Sequence, residues 1–376
     1  MGLAEADVLS LAKWRCNARV VVPRLADYFL AACNTALVVV DPATALLQMH
    51  YGRYKCFTCG STSRVHPMNT PHPVVHDVTL RDGLQIEERV VSTEQKLGWL
   101  AGLRESGVDV IQLGSFVHPK KVPPMADTDE LFRRARQHAD QNQGVVLSGL
   151  VLNEKGLERA LAAGVDMICM GVSASETHSR KNTGMAVGEA VSRVVAMAAD
   201  AVQAGKQVQL SVQSAFGCGF EGVVPVASVL ALLRQFVEAG IGRISLADTA
   251  GHATPADVER LYGQTMELAP TAEWACHFHD TYGLGLANAY AALKAGVTVF
   301  ESAVGGLGGC PFTKLAGGNL CTEDWVYLLH RMQLRQDVKL KPLLRLAREM
   351  TATFEHELPG TIHRTGLIGA LTETPP

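Results

Sequence analysis

Two histidines two residues apart are the first feature of this chain that could do chemistry. His277 and His279 lie in the short run WACHFHD, whose other members are mostly apolar. In a β-strand, side chains two positions apart point to the same face, whereas on a helix they do not face each other. A strand here would bring two imidazoles to one point, which is half of a metal site. Hydrogen bonds to nearby backbone are the alternative role, so the metal interpretation needs further ligands.

The pattern around the histidines predicts such a strand. From residue 74 onward, short β-branched or apolar runs alternate with helical stretches, and several helices end in a glycine directly before the next strand. The predicted strands cover residues 74–80, 108–114, 145–151, 167–173, 207–213, 243–249, 274–280 and 298–304. The predicted helices include residues 93–106, 186–204, 225–239, 255–268 and 284–294.

This alternation implies parallel βαβ units and an α/β fold. Eight units favour a closed (β/α)8 TIM barrel, to which we expect extra C-terminal helices to be added after the last strand. An open, doubly wound sheet is the alternative, but it would normally carry a glycine-rich phosphate turn after its first strand. The first strand here ends in LRDGLQ, which lacks that spacing.

A TIM barrel collects its functional residues at the carboxyl ends of its strands. Polar residues occur at that end in strand after strand. They are Arg81 and Asp82 after strand one, Gln112 in strand two and Ser115 directly after it, Asp248 in strand six, the two histidines in strand seven, and the loop of residues 305–319 after strand eight. Scattered core histidines would not produce this distribution.

Asp82 and Asn319 are the further ligands that the metal interpretation needs. Strands one, seven and eight are neighbours in a closed barrel, so Asp82 can meet His277 and His279 across its mouth. Asn319, at the far end of the loop, could add a carbonyl oxygen. Two imidazoles with oxygen ligands suit Mg²⁺, Mn²⁺ or Zn²⁺. An ordinary turn or cap role is the alternative for Asp82 and for Asn319, but four such coincidences would be needed together.

Two more residues could act on a substrate held there. Arg81 would set a permanent cation beside the ligands, where it can hold a carboxylate or stabilise an oxyanion. Cys310 lies in a loop with six glycines between residues 305 and 319, and a thiol there could pass a proton to a carbanion. The alternatives are a surface arginine paired to an acid, an inert packed cysteine and a glycine-rich phosphate turn.

Five segments of the chain resemble the motifs of the 3-hydroxy-3-methylglutaryl-CoA lyases, a family of metal-dependent TIM-barrel enzymes with an Arg-Asp-Gly signature. The segments are DVTLRDGLQ, SFVHPKKVPPMADTDE, ISLADTAG, HFHDTYGLGLANAYAAL and GGLGGCPFTKLAGGNLCTEDWVYLL, and they span about residues 74–345 in the family's order. The first 67 residues lie outside the resemblance.

The resemblance implies a role for each candidate residue. It implies metal ligands at Asp82, His277, His279 and Asn319, and catalytic or substrate-contacting positions at Arg81, Ser115, Asp248 and Cys310. One position departs from the family's pattern, because Gln112 stands where a catalytically important glutamate is usual. Glutamine keeps a hydrogen bond but can neither take a proton nor carry charge. The departure therefore bears on the rate and on the choice of substrate.

The reaction implied by the resemblance is a retro-Claisen cleavage of a 3-hydroxyacyl-CoA to acetyl-CoA and a ketone, which for the methylglutaryl substrate is acetoacetate. The cofactor would be a divalent ion, most naturally Mg²⁺ or Mn²⁺, and the assembly a homodimer. His277 and Asp82 are both candidates for the base. Two other functions stay open: a Claisen-condensing synthase of the same superfamily, and a barrel that binds metal or acyl-CoA without turnover.

The composition limits the classes of binding partner and the cellular compartment that we expect for this chain. A net charge of −3 gives no electrostatic reason to expect nucleic acid or an anionic membrane surface as partner. No apolar run reaches the eighteen residues of a membrane span. Nine cysteines without disulfide spacing indicate a reducing, cytoplasmic compartment.

We expect residues 1–67 to be a poorly ordered extension and residues 68–376 to form the catalytic barrel. No strand and helix repeat occurs before residue 74. A chain that starts at Met68 should therefore match the full chain in melting temperature and activity. A clear drop in melting temperature after this truncation would mean that the first 67 residues pack on the barrel.

Overall fold

The computed structural model describes residues 72–137, 144–309 and 317–368. The expected extension of residues 1–67 lies outside these ranges, and so does Cys310. The expectations about both therefore stay predictions.

Eight parallel strands close into a barrel in sequence order, each paired with the next and β8 paired with β1. The TIM-barrel prediction is confirmed. The strands are β1 (Val74–Asp77), β2 (Val110–Ser115), β3 (Val146–Leu150), β4 (Met167–Ser173), β5 (Gln207–Gln213), β6 (Arg243–Asp248), β7 (Glu273–Phe278) and β8 (Val299–Ser302).

Helices fill the segments between the strands and continue after β8. They are α1 (Thr93–Ser106), α2 (Thr128–Gln137), α3 (Glu154–Ala162), α4 (Glu176–Thr183), α5 (Val187–Gln203), α6 (Val226–Glu238), α7 (Pro255–Leu268), α8 (Gly285–Ala295), α9 (Thr322–Arg331), α10 (Leu340–Phe354) and α11 (Ile362–Thr365). The last three are the extra C-terminal helices that the sequence predicts. Among the described residues, no helix is both long and apolar enough to cross a membrane.

Local signals in the sequence set the helix ends. Thr254 caps α7 in a capping box with Asp257, and Pro255 takes the first helical position, where its missing N–H costs nothing. Gly107 and Gly296 end α1 and α8 with φ of 81° and 103°. This left-handed conformation favours glycine, so the chain can turn there directly into the next strand.

The first strand is shorter than predicted, because the chain turns at the barrel mouth. Residues 79–83, TLRDG, form a single π-helical turn directly after β1. The backbone N–H groups of Arg81, Asp82 and Gly83 all donate to the carbonyl of Val78, over 3.1, 2.8 and 3.2 Å. π-helical turns are rare and are frequent at functional sites. This turn holds Arg81 and Asp82 at the opening of the barrel.

Side chains along β7 point alternately into the barrel, toward the candidate site, and outward, toward the helices. Phe278 points outward and packs on Phe216 with ring centroids 5.8 Å apart, while His277 points into the barrel, where it meets Glu301. In the next strand, Phe300 packs outward on Trp325 of α9 at 4.5 Å. The aromatic core between strands and helices therefore fixes the orientation of the side chains that face the barrel interior.

Candidate active site

Asp82, His277 and His279 converge in a buried cluster at the barrel mouth. One ligand atom from each of the three lies within 4.8 Å of the other two. The two imidazole Nε2 atoms are 3.0 Å apart, and Asp82 Oδ2 lies 3.8 Å from each. The side chains are nearly inaccessible to solvent. The expected convergence of these three residues is thus observed.

Asn319 completes the cluster from the opposite side. Its backbone forms an isolated bridge with His279, and its side-chain Nδ2 donates to Asp82 Oδ2 over 2.8 Å. Its Oδ1 is buried without a hydrogen-bond partner among the described residues. A buried carbonyl oxygen left in this state costs free energy unless something binds it. Together with two imidazoles and a carboxylate, this oxygen makes a ligand set that fits a divalent ion.

Glu301 supports the cluster from below, and sequence reasoning missed it. Its Oε2 lies 2.9 Å from His277 Nδ1, and Gln209 donates to its Oε1 over 2.7 Å. A carboxylate on one ring nitrogen orients the imidazole and leaves the other nitrogen free to bind a metal. The signal was a lone acid in the apolar strand TVFESAV, which pairs with β7 so that Glu301 stands beside His277.

The protonation states of Asp82 and His279 suit metal binding, whereas the pKa of His277 is raised, because the effect of burial is outweighed by its contacts with Glu301. Burial opposes ionisation of Asp82, but the charges of Arg81 and of the histidines outweigh it and lower the pKa of Asp82 to about 2. Burial likewise opposes ionisation of Glu301, and its contacts with His277 hold its pKa at about 2. Burial lowers the pKa of His279 to about 4. At neutral pH, Asp82 is therefore anionic and His279 neutral, as ligands must be.

Arg81 connects the cluster to Gln112. Its Nε donates to Gln112 Oε1 and its Nη1 donates to Asp82 Oδ1. Gln85 donates to the same Asp82 oxygen over 2.9 Å. These bonds fix the guanidinium, which is 9% exposed and lines the cavity above the cluster. Gln112 itself is buried and contacts the site through this arginine.

The cavity over the cluster has a volume of about 1170 Å³ and a cationic wall. Ser115 lines its inner part, and the Oγ of that residue has no partner among the described residues. Besides Arg81, five lysine and arginine side chains line the cavity: Lys121, Lys155, Arg159, Lys181 and Arg193. Both arginines are paired with carboxylates, to Asp129 and Glu154 respectively. Lys121 and Lys155 make no ion pair with the described residues, which leaves their charges available to a ligand.

Asp248 is not brought together with the other candidates. Its carboxylate oxygens accept from the backbone N–H groups of His252 and Ala253, over 2.8 and 2.9 Å. Its neighbours Ala247 and Thr249 line the cavity, whereas Asp248 is fully buried away from it. Burial raises the pKa of Asp248 to about 6. These hydrogen bonds hold the loop after β6, and a catalytic role for Asp248 stays a prediction.

Comparison with known proteins agrees with this architecture. The HMGL-like family model matches residues 72–350, most of the chain. The chain belongs to the HMGL-like family. It is 38% identical over 292 residues to hydroxymethylglutaryl-CoA lyase YngG of Bacillus subtilis, covering 77% of this chain and 96% of that protein. It is 40% identical over 268 residues to the mitochondrial hydroxymethylglutaryl-CoA lyase of Homo sapiens, covering 71% of this chain and 81% of the human one.

A solved HMGL-like structure shows the same fold with ligands present. The HMG-CoA lyase of Acinetobacter baumannii, in complex with coenzyme A and 3-methylmalate, has a TM-score of 0.76 and 35% identity. The match covers 82% of this chain and 99% of that one. Membership in the HMGL-like family confirms the resemblance seen in the motifs and makes a divalent ion the expected cofactor.

Replacing either histidine of this HMGL-like chain tests the cluster directly. His277→Ala and His279→Ala should each weaken Mn²⁺ binding by roughly 10-fold or more, because each removes one ligand atom. Isothermal titration with Mn²⁺ measures this, and circular dichroism should show the fold retained. Parent-like Mn²⁺ affinity in both variants would contradict a metal site at these residues.

Proposed function

We propose that this chain is a divalent-metal-dependent lyase that cleaves 3-hydroxy-3-methylglutaryl-CoA, or a close 3-hydroxyacyl-CoA, to acetyl-CoA and acetoacetate or the matching ketone. One observation carries the proposal: Asp82, His277, His279 and the side-chain oxygen of Asn319, which no described residue hydrogen-bonds, lie beside a fixed arginine at a barrel mouth. The names of the relatives agree with it.

The cavity supports an acyl-CoA as the substrate. The structural relative from A. baumannii binds coenzyme A. Coenzyme A carries several phosphate charges, and the cavity wall of this chain offers Lys121 and Lys155, which form no ion pair with any described residue. Mg²⁺ or Mn²⁺ is the proposed ion, because oxygen and imidazole ligands suit both. A homodimer, and a cytoplasmic location in keeping with the free buried cysteines, stay predictions.

The chain's own side chains supply the proposed steps. A divalent ion bound at the cluster would act as a Lewis acid toward the substrate's hydroxyl and carbonyl oxygens. Of the two candidate bases, Asp82 is the better placed to remove the hydroxyl proton, because the ring nitrogens of His277 are taken by Glu301 and by the metal. The electron pair left on that oxygen forms the new ketone as the C2–C3 bond breaks. The electrons of that bond pass into the thioester enolate of acetyl-CoA. Arg81 donates hydrogen bonds to the enolate oxygen as its charge develops.

Cys310 is the proposed donor of the last proton. Its thiol would protonate the enolate carbon, directly or through water, and so complete acetyl-CoA. Ser115 is proposed to contact the substrate, since its Oγ lines the cavity without a partner among the described residues. Asp248 is proposed to act only by holding the loop after β6, because both of its oxygens accept backbone hydrogen bonds.

Gln112 favours one alternative, a barrel that binds metal and acyl-CoA but turns over slowly or on another substrate. An assay of acetyl-CoA release from 3-hydroxy-3-methylglutaryl-CoA, with Mg²⁺ or Mn²⁺ and with a chelator, decides between the functions. Metal-dependent release supports the lyase. Consumption of acetyl-CoA with a keto-acid acceptor indicates a condensing synthase, and ligand binding without turnover indicates a binding protein.

Cys310→Ser should lower kcat more than it raises KM. A serine hydroxyl is a far weaker acid than a thiol, so proton delivery should slow while substrate contacts persist. Steady-state kinetics with Mn²⁺ titration as control measures both effects, and Mn²⁺ affinity should not change. Normal turnover in this variant would assign the proton donor to another group.

Gln112→Glu tests whether this position limits the rate. A glutamate would give Arg81 a charged partner and could relay a proton, and acid–base groups contribute on the order of 10²-fold or more. If the methylglutaryl ester is the substrate, kcat should therefore rise. A fall in activity on a different 3-hydroxyacyl-CoA would instead identify a substrate that needs the amide donor of Gln112. Identical kinetics on a panel of esters would exclude the position from the site.

A further inference from the structure

The C-terminal segment of residues 358–363, which we term the clasp, packs against the two ends of the glycine-rich loop. These ends, residues 305–309 and 317–319, are termed the loop stems. The second stem carries Asn319, one of the proposed metal ligands. The reaction proposed above gives the clasp no role, yet it contains a buried histidine.

Glu323 joins the clasp to the first stem. Its side chain is fully buried, and both of its oxygens accept from the backbone N–H of Gly305, over 3.1 and 3.0 Å. His363 Nδ1 lies 3.1 Å from Oε1 of the same carboxylate, and His363 is 5% exposed. A buried carboxylate is stable only when it is paired and hydrogen-bonded. His363 therefore fixes the acceptor that holds Gly305.

Backbone and apolar contacts also join the clasp to the loop stems, in addition to the contact between His363 and Glu323. Gly360 N–H donates to the carbonyl of Gly305 over 2.8 Å. Leu358 packs so closely on Gly305 that an added Cβ there would lie 2.3 Å from Leu358 Cδ1. Pro359 covers Gly318 of the second stem, at 3.2 Å from an added Cβ. The clasp therefore contacts both stems, and no side chain fits between them.

The stems in turn fix the metal cluster. Asn319 Nδ2 donates to the carbonyl of Leu307 over 2.8 Å, in addition to its bond to Asp82. An added Cβ at Gly308 would lie 2.5 Å from the Asp82 carbonyl and 2.6 Å from Asn319 Nδ2. A displacement of the first stem would therefore move Asn319 relative to Asp82.

We propose that His363 is a positioning residue: by holding Glu323 against Gly305, it sets the loop stems and thereby the position of Asn319 in the metal cluster. The inference rests on the metal site of the proposed function. It extends that site through Glu323 to a residue that touches neither metal nor substrate. A role confined to general stability is the competing explanation.

His363→Leu tests the inference by removing the partner of Glu323. Its dissociation constant for Mn²⁺, measured by isothermal titration without substrate, should rise roughly 10-fold, as for other supporting residues of metal sites. His363→Gln keeps an N–H donor toward Glu323 and should restore affinity close to the parent's. His356→Leu is the matched control, since His356 is an exposed histidine that also faces a carboxylate, that of Glu87. It should bind Mn²⁺ like the parent.

The outcomes separate this inference from the metal site itself. If His277→Ala weakens Mn²⁺ binding but a folded His363→Leu does not, the positioning role is wrong and the site stands. If His277→Ala does not weaken Mn²⁺ binding, the proposed metal site is itself wrong, and the inference that rests on it is wrong for that reason. Should His363→Leu not fold, Gly360→Ala decides by the same criterion, because its Cβ would lie 2.7 Å from Cys321 Sγ, 3.0 Å from His363 Nδ1 and 3.1 Å from Glu323 Oε1 and so crowd the contact between His363 and Glu323. Unfolding of both variants would assign the contact to general stability and overturn the inference.

Discussion

Two ring nitrogens and a carboxylate that crowd one buried space are the constraint on which this structure depends. The Nε2 atoms of His277 and His279 are 3.0 Å apart, with an ionised Asp82 carboxylate 3.8 Å from both. Such an arrangement is unfavourable in a low-dielectric interior unless a proton or a cation lies among the atoms. Glu301 and Arg81 are ordered around it, one from below and one from the side. The barrel supplies the rigidity that keeps these groups together.

The sequence predicted the parts of the site that depend on local periodicity. The two-residue spacing of His277 and His279 predicts a common face in any strand, and the order of strands in a closed barrel brings Asp82 beside them. The helix ends were predictable for the same reason, since the glycines and caps that set them act within one turn. Residues 93–106 and 255–268 were predicted as helices with the bounds that are observed.

Features set by register or by backbone rearrangement were not predictable in this way. Glu301 meets His277 only because β7 and β8 pair in a particular register. Asp248 stands at a strand end like the true cluster residues, but it sits one position out of phase with the cavity-lining Ala247 and Thr249, and its oxygens are taken by backbone. The turn at residues 79–83 shortens β1, and no residue type in TLRDG signals a π-helical turn. The contact of His363 with Glu323 joins residues forty positions apart and has no local signature.

The lysines on the cavity wall have a kinetic consequence. The whole chain is slightly acidic, with a net charge of −3, yet Lys121 and Lys155 bring to the cavity wall positive charge that no described residue pairs. A concave, low-dielectric opening lined by one sign of charge concentrates field lines and draws oppositely charged molecules toward it. Encounter with a polyanion would therefore be faster than undirected diffusion and would slow as ionic strength shortens the Debye length. Capture of a polyanion at this barrel would thus be sensitive to salt, whereas charges in the buried cluster below would be screened much less.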